Sequence, residues 1–242
     1  MKSWTRTLNL DDAHTLLALA QPGRGVADWT AACHPALPGL SQARRRELVR
    51  ILRDGYLELD RDRIAPGLFL RLYLKSPATA QLGLVQAQWA LTHPLSRVAA
   101  TTLVGPALAS GRLDIPLQRV EDLVAAHLET RSQESLRKTR TVLLGALEGI
   151  GVLHTSGTGQ HRALRAARGR PDPVTFAYLV LRELDERGVD AMLASEVLET
   201  GHAVQLTQCG EEHAARCLRG AVHRGLLVQI DDEVRRGPGS VA

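Results

Sequence analysis

Aromatic side chains are scarce in this chain, with three Trp, three Tyr and two Phe among 242 residues. Surfaces that hold RNA or single strands by stacking need several rings side by side, and this composition can hardly supply them. Cysteine is nearly absent too. Cys33, Cys209 and Cys217 fit reduced thiols in a cytosolic protein rather than a disulfide framework. The longest apolar stretches, VTFAYLVL and LASEVL, fall far short of the roughly 18 residues of a membrane span. The opening MKSWTRTLNLDD lacks the apolar core of a signal peptide, so the expectation is a cytoplasmic protein with no membrane partner.

Catalytic signatures are missing as well. The chain holds no P-loop, HExxH, GxSxG or GxGxxG pattern, and SGTGQ (156–160) lacks the Lys and flanks of a phosphate loop. The nine His residues are scattered. No Cys–His–Asp grouping emerges, so an enzyme is the weaker class and no cofactor is expected. Cys209, His213 and Cys217 fall at i, i+4 and i+8, which invites a zinc reading. Eight residues of helix rise about 12 Å, too far for one tetrahedral metal with bonds of about 2.0–2.3 Å. A buried helix face is the expectation, and no metal.

What the chain does have is 44% hydrophobic and 23% charged residues, ordinary values for a globular protein, and charge that is unevenly spread. The net charge is +4 overall, but +4 over 42–75, +6 over 131–170 and −5 over 171–242. Such asymmetry suggests two surfaces with different partners.

Helical periodicity dominates. Ser41 can cap QARRRELVRILRDG, with Gly55 ending the run, and Pro106 should bend or end PLSRVAATTLVGPALASG. After Gly111 the pattern shifts. RLDI (112–115) is short enough for a strand, PLQRVEDLVAAHLE and SQESLRKTRTVLLGALEGIG read as helices, and VLHT and HRALR as strands about a Gly-rich turn. That order is what a winged helix-turn-helix looks like in sequence. It recurs in PVTFAYLVLRELDERG, SEVLETG and GEEHAARCLRGAVHRG, followed by LLVQI, DDE and VRR. Setting Gly151 against Gly225 aligns the two. The expected architecture is therefore mainly α, multi-helical, with two winged-helix-like units that each end in a short β-hairpin. The units are a helical region over 1–110, a basic unit over 111–170 and an acidic unit over 171–242. A helical bundle ending in two chance hairpins is the alternative.

On the helix 133–149, Leu136, Leu143, Leu147 and Ile150 recur at helical spacing, which leaves Arg137, Lys138 and Thr141 opposite and Arg140 at the margin. The hairpin and tail add His161, Arg162, Arg165, Arg168 and Arg170 with no acid before Asp172. Cations on a helix and an adjacent wing would meet phosphates on two sides of a groove of double-stranded DNA. A solvated basic face is the plain alternative. ARRRELVRILR (43–53) is a second cluster, from which Arg44 and Arg45 are candidate DNA contacts, although intrahelical ion pairs explain it as well.

LETRSQESLRKTRTVLLGALEGIGVL (128–153) resembles the most recognisable part of the BrxA family of BREX phage-defence accessory proteins. The matching features are Leu128 with Glu129, Ser132, Arg137–Lys138, Arg140, Val142, Leu143, Leu147, Gly151 and Leu153. Trp29 with SQARRRELVRIL resembles the family's N-terminal helix region, and 81–128 has a similar layout. The likeness covers roughly residues 29–200; the acidic end, 201–242, departs from it. The resemblance implies a non-enzymatic cytoplasmic DNA-binding protein serving phage resistance. It also implies other BREX proteins, such as the methyltransferase, as partners. Self-association is a further possibility for the acidic unit. A winged-helix transcriptional regulator and a protein-only assembly adaptor are the alternatives.

Overall fold

The computed structural model describes residues 9–128, 132–157 and 163–241. The chain is mainly helical, with three small antiparallel sheets among these residues. None of the described helices is long and apolar enough to cross a membrane.

The N-terminal part runs α1 (Leu10–Leu17), α2 (Val26–Ala36), α3 (Gln42–Tyr56), a hairpin of β1 (Leu59–Asp60) and β2 (Arg63–Ile64), α4 (Leu68–Lys75) and α5 (Ala78–Thr92). Ser41 caps α3 as expected, its Oγ accepting the N–H of Arg44 at 3.3 Å. Gly55 does not end that helix. The helix continues to Tyr56, whose buried ring donates its hydroxyl to the Val85 carbonyl at 3.2 Å, so an anchor one residue on overrides the local preference of glycine.

Next come α6 (Leu95–Ala99), a π-helical turn over Ala100–Val104 and α7 (Gly105–Ser110). Pro106 neither ends nor interrupts this run. The wide π turn just ahead of it shifts the hydrogen-bond register, so the missing N–H falls in the first turn of α7. β3 (Asp114–Ile115), α8 (Leu117–His127), α9 (Gln133–Gly149), β4 (Leu153–Ser156) and β5 (Ala163–Ala166) follow. The sheet order is β3-β5-β4. A similar order then returns with one helix more between the first strand and the hairpin: α10 (Pro173–Arg187), β6 (Ala191–Leu193), α11 (Ala194–Glu199), α12 (His202–Thr207), α13 (Glu211–His223), β7 (Leu227–Ile230) and β8 (Glu233–Arg236), with sheet order β6-β8-β7. α14 (Pro238–Val241) closes the described chain.

The correspondence of Gly151 and Gly225 extends to single hydrogen bonds. Both have positive φ, +76° and +68°. Gly151 N–H reaches the Glu148 carbonyl and Val152 N–H the Leu147 carbonyl; Gly225 reaches Val222 and Leu226 reaches Ala221. Each pair is a Schellman stop, in which a left-handed residue satisfies the last carbonyls and turns the chain directly into the hairpin.

The apolar side chains form two clusters. One joins α1–α5 to α10–α13, with Trp29, Phe69, Tyr73, Phe176 and Tyr178 inside it. The other holds Leu95, Ala99, Leu103 and Val104 with Val120, Val124, Leu143, Leu147, Leu153 and Leu164. The run 95–110, grouped by the sequence with the N-terminal region, thus lends its apolar face to the core of the segment that follows. α9 walls both clusters, giving Val142 and Ala146 to the first and Leu143, Leu144 and Leu147 to the second.

Gly169 fastens the junction between the repeated units. Its N–H donates to the Thr207 carbonyl at 2.8 Å. A Cβ there would stand 2.6 Å from that oxygen and 2.8 Å from the Ile150 carbonyl. Gly169→Ala is therefore expected to cost about 1–3 kcal/mol in urea unfolding, the range for overpacking. Gly39→Ala, which meets nothing within 4 Å, should leave stability unchanged within about 0.5 kcal/mol.

His93 supplies a pH test. It is 4% exposed, its Nδ1 has no partner, and burial pushes its pKa down from 6.5 to about 4. The unfolded chain therefore takes up a proton that the folded one refuses as pH falls from about 6.5 to 4. At about 1.4 kcal/mol per pKa unit, stability present above that window drops by about 3 kcal/mol across it. Urea midpoints of the protein and of His93→Gln, compared from pH 7.5 to pH 4, should diverge in slope by this amount.

Candidate nucleic-acid interface

α9 begins at Ser132, whose Oγ accepts the Ser135 N–H at 3.2 Å. Because two of its sides are buried, the helix leaves a narrow stripe in solvent: Gln133, Glu134, Arg137, Lys138, Thr141 and Gly145. Leu143 and Leu147 are fully buried, and Leu136 and Ile150 pack against the core from its edge. The helical spacing read from the sequence thus puts the named cations on the exposed side.

Their charge is partly offset by carboxylates that the sequence reading passed over. Lys138 pairs with Glu134 one turn back, and Arg140 pairs with Glu121 of α8. Lys138 holds the Glu134 carboxyl below its usual range, through a hydrogen bond and its charge. The Thr141 hydroxyl donates to the Arg137 carbonyl at 2.9 Å. The guanidinium of Arg137 makes no hydrogen bond or ion pair among the described residues. A groove of about 910 Å³ lies between α8 and the start of α9, lined by Glu121, Asp122, Glu134, Arg137 and Arg140. Its walls carry both signs. The Glu134–Lys138 pair was legible as an i, i+4 spacing; the Arg140–Glu121 pair required knowing that α8 packs beside α9.

The sheet carries Arg165 on its outer face, in one row with Asp114 of β3 and His154 of β4. Arg165 and His154 are exposed, while Leu164, Leu153 and Ala166 point into the core. Arg162 and His161 lie outside the described residues.

Arg168 and Arg170 stand apart from the α9 stripe. They flank Gly169, which is pressed against the Ile150 carbonyl at the far end of the helix. Thirteen residues separate Arg137 from Ile150, so at 1.5 Å per residue the two groups of cations are about 20 Å apart along the axis. Both arginines are exposed. One Nη of Arg168 lies 3.7 Å from where a Cβ on Gly210 would stand, at the start of α13. Arg168, Arg170 and His154 line a cleft of about 710 Å³.

The second basic cluster is tied into the fold. Arg44 pairs with Glu47 at 2.9 Å, both half-buried. Arg45 donates to the His34 carbonyl at 2.7 Å, near the end of α2. Arg46 and Arg50 are the exposed arginines of that helix.

Cys209 sits outside α13, before the Gly210 N-cap, so the three metal-like residues do not share one helix. His213 Nε2 lies 2.9 Å from the Pro171 carbonyl, and the Cys217 thiol donates to the same oxygen at 3.1 Å. Burial pushes the Cys217 thiol up to about 12 and raises that of Cys209. No cluster of three or more His, Cys, Asp or Glu placed to hold a metal occurs among the described residues. A buried carboxylate escaped the sequence reading. Glu183 of α10 is fully enclosed, accepts the His202 N–H at 2.5 Å and pairs with Arg187. Arg97 of α6 reaches the His202 ring, tying α6 to α12.

These placements separate two roles within one basic helix. Arg45→Ala should lower the free energy of urea unfolding by about 1.5–3 kcal/mol, the worth of a charge-assisted hydrogen bond. Arg46→Ala, on the solvent side, should change it by less than about 0.5 kcal/mol.

No protein-family model matches the chain, and neither a curated protein nor a solved structure matches it.

Proposed function

We propose that residues 95–166 form a winged-helix unit by which a non-enzymatic protein docks on duplex DNA. α9 would act as the groove-facing helix and the β4–β5 hairpin as the wing. The observation that carries this reading is the element order with sheet order β3-β5-β4, combined with a solvent stripe on α9 that holds Arg137, Lys138 and Thr141. The helix is stopped by Gly151 and turned straight into the hairpin, and on this reading cations of both elements would meet one duplex. Phosphate contacts from such cations would give affinity without sequence preference. The resemblance over 128–153 adds the context: an accessory protein of a BREX-type phage-defence system, in the cytoplasm, alongside partners such as the methyltransferase.

The acidic repeat is proposed to serve a different surface. Glu211 and Glu212 open α13, where they suit the helix dipole and are exposed, but they would repel phosphates. Asp231 and Asp232, also exposed, add to the repulsion at the turn of the second hairpin. This unit would contact protein, either a second copy or a defence partner. The ion pairs of Lys138 and Arg140 favour one competing reading, a protein-only adaptor, because they leave α9 with mixed charge.

Fluorescence anisotropy with unrelated duplexes across a salt series decides among these. Arg137→Ala with Lys138→Ala should weaken binding about equally on every duplex and flatten the salt slope by up to about 1.8, at about 0.9 per lost phosphate contact. Glu211→Lys with Glu212→Lys should leave affinity unchanged or higher. Binding restricted to one operator would indicate a transcriptional regulator, and absence of binding at low salt the adaptor.

A further inference from the structure

The cleft at the C-terminal end of α9 is built from three parts of the chain. Its lining comes from α5 through Leu82 and Gln86, from Ile150 and His154 after α9, and from the linker holding Arg168 and Arg170. At about 710 Å³ it falls within the size range of small-molecule sites, and a duplex cannot enter it. Arg168 and Arg170 make no hydrogen bond or ion pair through their guanidinium groups among the described residues. The carboxylate on the lining, Asp172, is already engaged. Its Oδ1 accepts the N–H groups of Val174 and Thr175 at 2.8 and 3.2 Å, and its Oδ2 accepts the Thr175 hydroxyl at 2.6 Å. The lining thus sets two arginines against one carboxylate, a net charge of +1, and neither guanidinium is paired with that carboxylate. The same lining includes Leu82, a large apolar side chain left 43% exposed, and the half-buried Ile150.

We propose that this cleft binds a phosphorylated small molecule of nucleotide size. Its phosphates would lie on Arg168 and Arg170, whose planar guanidinium groups present paired donors matched to phosphate oxygens. Its less polar part would lie against Leu82 and Ile150, within reach of the Gln86 amide and the His154 ring. Such a ligand bridges α5, the end of α9 and the linker, so its binding free energy adds to the stability of the fold. The site uses none of the α9 stripe, so variants of the stripe and of the linker arginines separate it from the DNA reading.

The test is calorimetric titration and thermal unfolding of the full chain with ATP, GTP, adenosine and inorganic phosphate. ATP or GTP should bind saturably and raise Tm, with adenosine and phosphate each at least tenfold weaker. Arg168→Ala with Arg170→Ala should weaken nucleotide binding at least tenfold and leave the ligand-free Tm unchanged, because both side chains are exposed. Arg137→Ala with Lys138→Ala should bind nucleotide as the parent does. Three results would overturn the proposal: no saturable binding of either nucleotide, binding indifferent to the Arg168 and Arg170 changes, or inorganic phosphate binding as tightly as the nucleotides. Loss of duplex affinity in the Arg168 and Arg170 variant, with nucleotide binding intact, would instead place a DNA contact at these side chains and remove them from the cleft's ligand.

Discussion

The burial of α10 on all sides is the constraint on which the rest of the structure depends. From Val174 to Leu181 every residue of this helix is buried, the pattern of a helix enclosed by others rather than one lying on a surface. It packs on α4 and α5 in one direction and on α12 and α13 in the other. Fully burying one Leu- or Phe-sized side chain contributes roughly 1.5–3 kcal/mol, so several such residues fuse the N-terminal helices and the acidic repeat into one core. A polar line crosses it. The Tyr178 hydroxyl donates to the Gln88 side-chain oxygen, and the Gln88 amide donates to the Gly55 carbonyl. Buried polar groups that satisfy one another in this way fix how neighbouring elements sit, because any slip leaves a donor or acceptor unpaired.

α9 inherits a second constraint from this arrangement. Its Val142 and Ala146 close the core around α10, and its Leu143, Leu144 and Leu147 close the smaller core beneath β4 and β5. A helix used as a wall on two sides retains only one stripe for solvent. Which residues occupy that stripe is therefore a packing outcome before it is a functional one, and the cations there are held in place by apolar contacts on the opposite faces.

Much of this was legible in the residues, for physical reasons that also explain the misses. Ser41, Ser132 and the Gly151–Gly225 pair act through local chemistry, caps and left-handed stops, which a sequence displays directly. Leu143 and Leu147 follow from periodicity alone. The strand Ala191–Leu193 and the hairpin at 59–64 were missed, since two or three residues cannot show an alternation. So was the division of 194–207 into α11 and α12. The π turn before Pro106 is a tertiary accommodation, because Ala100, Leu103 and Val104 are held in the core and the helix widens rather than breaks. Among the site residues, Arg137, Arg165, Arg168 and Arg170 are exposed as their polarity suggested, whereas Arg44 and Arg45 are partly engaged within the fold. Nothing local distinguishes Arg45 from Arg46. The difference is a carbonyl eleven residues earlier, His34.

The excess of +6 over 131–170 suggested a single basic surface, and the structure divides it. Net charge is a sum over a segment, while a ligand feels only charges within about a Debye length, ~10 Å at moderate salt. Arg137 and the Arg168–Arg170 pair are about twice that far apart along α9, so in solution each group acts largely on its own surroundings. Near Arg137 those surroundings include Glu134, Glu121 and Asp122, which line a groove of mixed sign. Around Arg168 and Arg170 there is one carboxylate, Asp172, already hydrogen-bonded to amides and a hydroxyl, and the remaining lining is largely uncharged. Equal charges in these two settings present different chemistry. It follows that salt dependence and charge substitution at one group carry little information about the other, and a basic segment of this kind is better resolved by the charges around each cation than by its count.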